Sequence, residues 1–111
     1  MDVSEVRGIQ QNDVLKEYMA RGNYIFPPAP SIRLTGDILQ YVGLNMPRYQ
    51  AITVCGVHQS ETGANNIHEL ALMVLNASAY LKAAVDRGVD IDSVAPGVMF
   101  LPASDHCVFF E

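Results

Sequence analysis

The run Ala51-Ile52-Thr53-Val54-Cys55-Gly56 constrains what this chain can fold into more than any other feature. It has the length of a strand, consists of small and β-branched residues, and is closed by a glycine. It lacks the apolar–polar alternation of a sheet with one wet face. Both of its faces must therefore be covered, as those of parallel strands are. A second such run, Val98-Met99-Phe100-Leu101, stands between Pro96-Gly97 and Pro102. A third, shorter and only moderately apolar, lies between Val3 and Gln11. Helical patterns fill the intervals, so the expectation is an α/β fold with about three parallel strands and crossover helices. Two architectures meet it: a small three-layer sandwich, or part of a (β/α)8 TIM-type barrel, which takes about 250 residues in all. The first strand begins almost at Met1 with no preceding cap, which tilts the expectation toward a partial barrel, residues 1–111 forming a single segment of it.

The helices are read from spacing and stops. Asn12 is an expected N-cap, and Asp13 is expected to sit at the positive end of the helix that follows. Val14, Leu15, Tyr18 and Met19 recur there at helical spacing, with Lys16, Glu17 and Arg21 as polar residues between them and Gly22 as the stop. Phe26-Pro27-Pro28-Ala29-Pro30 is expected to break regular structure and fix an extended path. Ser31 then caps a second helix running to about Asn45, with Ile32, Leu39 and Val42 on its buried side and Leu34, Ile38 and Tyr41 flanking them. In a long third helix Ile67, Leu70, Ala71, Val74, Leu75, Ser78 and Leu81 fall at i, i+3, i+4 and i+7 and form the expected core face. Arg87-Gly88 stops it. Ala103 to Glu111 reads as the opening of another helix.

Composition excludes several classes of function. Half of the 111 residues are hydrophobic and 17% are charged, which is enough for a core. A net charge of −5, with no compensating basic run, argues against nucleic acid and against an anionic membrane. No apolar run nears the roughly 20 residues that span a bilayer, and the acidic start Met1-Asp2-Val3-Ser4-Glu5 has no signal-peptide core. Cys55 and Cys107 match no metal spacing and fit a reducing compartment. The sequon Asn76-Ala77-Ser78 falls inside a helical stretch and reads as chance.

Polar residues gather just after the carboxyl ends of the strands. Gln10, Gln11 and Asn12 follow the first, and His58, Gln59 and Glu61 follow the second. That end is the functional face of a barrel or an open α/β sheet. Asn12, Ser60 and Thr62 read there as helix caps and loop partners. An imidazole directly after a glycine-ended buried strand is well placed to meet a ligand, which makes His58 a candidate. His58 and Glu61 at i, i+3 have no third partner in a metal spacing, and neither His68 nor His106 supplies one, so no metal site is expected. Neither GxGxxG nor GxxxxGK[ST] is present, so Gly8 and Gly56 do not mark a phosphate loop.

Longer stretches are more specific. Residues 11–31, QNDVLKEYMARGNYIFPPAPS, resemble a signature of the methylmalonyl-CoA mutase family, a QND-x-LKE-x-x-x-R run followed by YIFPP-x-PS. Gly56-Val57-His58-Gln59-Ser60-Glu61-Thr62-Gly63-Ala64 is similar to that family's G-Y-H-x-x-E-x-G-A element, and Ala95-Pro96 with Phe100 to its next strand. The similarity covers essentially the whole chain. It implies an adenosylcobalamin-dependent acyl-CoA mutase, an intramolecular transferase. Its substrate barrel would be represented here by a central slice. The cobalamin-binding domain or subunit that carries a DxHxxG motif would lie elsewhere, since that motif is absent from these residues.

The resemblance also implies roles. Arg21 matches an arginine that grips the free carboxylate of the acyl-CoA, a task for which a planar fork is suited and lysine is not. His58 matches a catalytic histidine that hydrogen-bonds the thioester carbonyl, Gln11 a glutamine lining the same pocket, and Glu61 a glutamate facing the cofactor. A dimer in the full-length protein and a cytoplasmic location, or the mitochondrial matrix in a eukaryote, are further implications. Three positions depart from the pattern: Val57 replaces a tyrosine, Ile9 a threonine and Met99 a serine, each removing a hydroxyl from a polar pocket. Arg21 points to a dicarboxylic acyl-CoA. The lost hydroxyls point to a variant substrate, or to a non-catalytic partner subunit or pseudoenzyme. A small independent α/β binding domain is a third, weaker expectation.

Overall fold

The structure, a computed structural model, describes residues 2–103. The expected final helix and two of the residues weighed as metal ligands, His106 and Cys107, lie outside the described residues. Four short strands are present: β1 (Gly8–Ile9), β2 (Tyr49–Gln50), β3 (Ile52–Cys55) and β4 (Val98–Leu101). β1 pairs with β2 and β3 with β4, and both pairings are parallel. Only Ala51 separates β2 from β3, so the strand expected from Ala51 corresponds to β3, and β2, which pairs with β1, lies just before its expected start. The expected first strand, Val3–Gln11, contracts to two residues preceded by a 3-10 turn at Val3–Glu5, whose N-cap Asp2 accepts from the Ser4 N–H. Parallel α/β order is thus present, in strands shorter than the sequence implied.

The helices are α1 (Val14–Lys16), α2 (Pro28–Asn45), α3 (Val57–Glu61), α4 (Asn66–Val85) and α5 (Ile91–Val94). α1 runs on into a π-helical turn, Glu17–Arg21, that Gly22 ends in the left-handed region at φ 61. α2 begins three residues before the expected cap. Pro28 takes the first helical position, where a missing N–H costs nothing, so the proline run opens the helix rather than breaking it. Ser31 is therefore not a cap. It is buried inside the first turn and shares a 2.9 Å hydrogen bond with the Tyr18 hydroxyl.

The core gathers Leu39, Val42, Ile52, Val54, Met73, Ala77, Tyr80 and Ala84. β3 is buried at every position, as its composition required. α4 overturns the expectation for its faces. Ile67, Leu70, Val74 and Leu75 are 75%, 48%, 50% and 64% exposed, while Glu69, Met73, Asn76, Ala77, Tyr80, Ala83 and Ala84 turn inward. The helix is apolar nearly all round, so spacing alone could not choose. The alanines let its backbone approach β3 closely, and Tyr80 finds hydrogen-bond partners only on the inner side. In α2, Leu39 and Val42 are buried as expected, whereas Leu34 and Tyr41 are exposed and Thr35 and Gly36 take inner places.

Arg87 clamps α2 to α4. Its guanidinium donates to the Ala83 carbonyl (2.7 Å), the Arg33 carbonyl (2.8 Å) and Asp37 Oδ1 (2.9 Å). Gly36 makes room for it, since a Cβ there would lie 2.6 Å from Arg87 Nη1. Gly88, at φ 79, ends the turn as expected.

Candidate functional site

Parallel strands bring their carboxyl ends to one side, and the expected site residues follow those ends. Gln11 lies exposed in the segment between β1 and α1. The strand edge before it is fixed by the Gln10 N–H, which donates to the Gln50 carbonyl at 3.0 Å. Arg21 is the last residue of the π turn, its side chain 48% exposed and its Nη1 3.4 Å from Glu17 Oε1. That turn is closed by the Gly22 N–H donating to the Glu17 carbonyl at 2.7 Å, a five-residue step. π-helical turns are rare, and many of them occur at functional sites.

His58 stands in the first turn of α3, directly after β3 and Gly56. Its Nδ1 is buried and has no hydrogen-bond partner among the described residues. Glu61 ends α3 and is exposed. α3 packs against the π turn, so the elements carrying His58 and Arg21 are neighbours. The structure thus places Arg21, His58 and Glu61 on adjoining elements at one end, with Gln11 on the segment leading into the same helix.

The surroundings of these residues are more polar inside than the sequence indicated. Asp13, expected to act on a helix dipole, is 1% exposed and makes no cap bond. Its Oδ2 accepts from the Cys55 N–H at 2.9 Å and its Oδ1 from the Tyr80 hydroxyl at 2.5 Å. The same hydroxyl accepts from the Leu15 N–H at 2.8 Å. Burial, and then the Asp13 charge, push the Tyr80 hydroxyl well above its ordinary range, so it remains a donor. Burial likewise pushes the Cys55 thiol up, partly opposed by the positive charge of Lys16. Lys16 is 3% exposed, and its Nζ lies 3.3 Å from Glu17 Oε1, the oxygen that also faces Arg21.

Asn12 is not a cap either. Both of its amide atoms are buried without a partner beside a cleft of about 290 Å³ between the π turn and α2. None of Gln11, Arg21, His58 and Glu61 lines that cleft. Among the positions that depart from the mutase signature, Ile9 is 56% exposed. Met99 is the register partner of Thr53, whose buried hydroxyl has no partner. Among the described residues no group of three or more His, Cys, Asp or Glu is placed to hold a metal ion. No described helix is long and apolar enough to cross a membrane.

Sequence reasoning missed Tyr80 and the inward role of Asp13. The signal for Tyr80 was a phenol set among Ala77, Ala79, Ala83 and Ala84, a small-residue face that only close packing explains.

Comparison with known proteins identifies the family. The family described as Methylmalonyl-CoA mutase matches residues 1–111. The chain is 42% identical over 109 residues to the methylmalonyl-CoA mutase large subunit of Porphyromonas gingivalis, covering 98% of this chain and 15% of that protein. It is 42% identical over 96 residues to the methylmalonyl-CoA mutase of Escherichia coli, covering 86% of this chain and 13% of that one. The mitochondrial methylmalonyl-CoA mutase of Mus musculus is 41% identical over 96 residues, with the same coverage of 86% and 13%. The chain therefore spans 13–15% of the length of these relatives. With the signature at 11–31, the His58 element and the whole length of the chain all matched, this protein belongs to the methylmalonyl-CoA mutase family.

Proposed function

We propose that this chain supplies substrate-holding residues to an adenosylcobalamin-dependent isomerase that rearranges the carbon skeleton of an acyl-CoA of the methylmalonyl-CoA/succinyl-CoA type. The observation that carries the reading is the packing of Arg21's π turn against His58's helix at the carboxyl ends of the strands. Arg21 would grip the free carboxylate by a bidentate contact, leaving Glu17 to do so. His58 would donate to the thioester carbonyl, and its partnerless ring nitrogen is an orphan that a ligand could satisfy. Gln11 would offer a neutral donor and acceptor on the same side.

When bound, adenosylcobalamin supplies the carbon radical. The exposed carboxylate of Glu61 fits a residue facing such a group, and with no DxHxxG motif in residues 1–111 the cobalt ligand would come from another domain or subunit. This chain's residues hold the substrate still and keep water from it. A partial (β/α)8 barrel, an assembly of two copies in the full-length protein and a cytoplasmic or mitochondrial-matrix location belong to the same reading. Relatives named as large subunits support a multi-subunit setting.

The test is a ratio. Arg21→Gln keeps hydrogen bonding and removes the charge. In the full-length enzyme it should lower kcat/KM for a dicarboxylic acyl-CoA on the order of a hundredfold, the scale of a charged hydrogen bond. A monocarboxylic acyl-CoA of similar shape should lose little. Equal losses for both would make Arg21 only the partner of Glu17 at a helix end. The second reading, a non-catalytic partner subunit, is favoured by that ion pair and by the apolar Ile9, Val57 and Met99. It predicts no turnover of either substrate by the full-length protein loaded with cofactor.

A further inference from the structure

We infer that Asp13 and Tyr80 form a buried latch that positions Arg21's turn against His58's helix, and so sets the enzyme's preference for a dicarboxylic acyl-CoA. The inference rests on the mutase reading above and adds two positioning residues to it. Neither residue can touch a substrate, because Asp13 is 1% and Tyr80 0% exposed. They act through what they hold.

The latch has three bonds and joins three elements. The Leu15 N–H donates to the Tyr80 hydroxyl (2.8 Å), that hydroxyl donates to Asp13 Oδ1 (2.5 Å), and the Cys55 N–H donates to Asp13 Oδ2 (2.9 Å). Leu15 lies on the helical segment that ends in Arg21, with no break between α1 and the π turn. Cys55 ends β3 and is separated from His58 only by Gly56 and Val57. Tyr80 belongs to α4, the helix behind both. The carboxylate thus spends one oxygen on the strand that leads to His58 and the other on the hydroxyl that fixes the root of Arg21's segment.

Adhesion alone would not call for this arrangement. A buried carboxylate held by two neutral donors is costly compared with an apolar contact of the same size. Apolar contacts allow slip, whereas directed hydrogen bonds at 2.5–2.9 Å fix separation and angle. A misplacement of about 1 Å can cost a reacting group on the order of a hundredfold in rate. Lys16, the nearest buried cation in sequence, is turned to Glu17 instead, which leaves Asp13 to the latch.

The test uses the full-length mutase and the selectivity ratio, kcat/KM for a dicarboxylic over a monocarboxylic acyl-CoA. The ratio is independent of how much enzyme is folded. Tyr80→Phe keeps the ring and removes the hydroxyl, and should narrow the ratio by about tenfold, chiefly through KM for the dicarboxylic substrate. Asp13→Asn keeps the shape but offers one acceptor for two donors. It should narrow the ratio as well, and it stands in if Tyr80→Phe does not fold. Combined with Arg21→Gln, either variant should narrow the ratio no further than Arg21→Gln alone, since the latch works through Arg21. If Arg21→Gln collapses the ratio while both latch variants leave it unchanged, the latch is merely structural and this inference is overturned, the mutase reading standing. If Arg21→Gln itself leaves the ratio unchanged, the carboxylate assignment fails and the latch's stated role fails with it.

Discussion

Asp13 gives two buried donors, on Cys55 and Tyr80, their only acceptor described for them. Asp13→Ala should therefore cost the folded chain about 3 kcal/mol, because each stranded buried donor costs about 1–3 kcal/mol. A urea midpoint at fixed low concentration would show it, and a shift within error would mean water replaces the carboxylate. The same cluster sets an alkaline limit. Tyr80 and Cys55 titrate above their ordinary values of 10.0 and 9.0 in the folded chain. Above those values the unfolded chain has released protons that the folded chain keeps. Their contribution to stability is thus full below about pH 9 and falls as pH rises beyond it. Tyr80→Phe should flatten part of that slope, measured as the urea midpoint between pH 8 and about pH 11. Gly56 is set by close approach rather than by a special backbone angle. A Cβ there would run into Glu69 Oε1 and Met73 Sδ, both buried. Gly56→Ala should destabilise by about 1–3 kcal/mol through overpacking.

Among the elements, α4 shows how a helix that is apolar on two sides defeats periodicity. The stripe through Ile67, Leu70, Val74 and Leu75 obeys helical spacing, yet the stripe through Met73, Ala77, Tyr80 and Ala84 is the one that packs. The inner stripe is narrower and smaller, and it carries the one side chain whose hydroxyl needs partners. α2 shows the converse, where the proline run predicts a break and Pro28 instead opens the helix. The joint between these two helices depends on Arg87. Its planar fork serves two carbonyls and Asp37 at once, which lysine cannot reproduce. Arg87→Lys should loosen α2, lowering stability by about 1–2 kcal/mol and raising amide exchange along Leu34–Leu39. Unchanged exchange there would mean that the apolar contacts alone hold the pair.

At the scale of the whole molecule, the chain leaves much apolar surface open. The outer stripe of α4, Phe100 and Leu101 on β4, and Ile25 at 89% exposure are all uncovered. β4 has one described strand neighbour, so its other edge offers unpaired backbone groups. A helix apolar on two sides needs cover on both, in keeping with a chain spanning 13–15% of the length of its relatives. The 111-residue chain should accordingly self-associate, with sedimentation that depends on concentration. A monomer with a sharp, concentration-independent melt would instead mark a self-contained domain. It should also show no mutase turnover when given adenosylcobalamin and substrate, and product formed by this chain alone would contradict the division of labour proposed above.

The sequence by itself determined the parallel α/β order, because an unalternating run such as Ile52–Cys55 has no stable place except between covered faces. It also determined the stops at Gly22 and Gly88, where positive φ leaves glycine as the natural choice. Through the signature at 11–31 and the element at 56–64 it determined the family, and it supplied the proposed site residues Gln11, Arg21, His58 and Glu61. Which face of α4 is buried, and that Asp13 turns inward to Tyr80 and Cys55, only the tertiary structure decided. Local spacing is satisfied equally by either face, whereas a buried hydroxyl and a buried carboxylate need partners that lie 67 and 42 residues away along the chain.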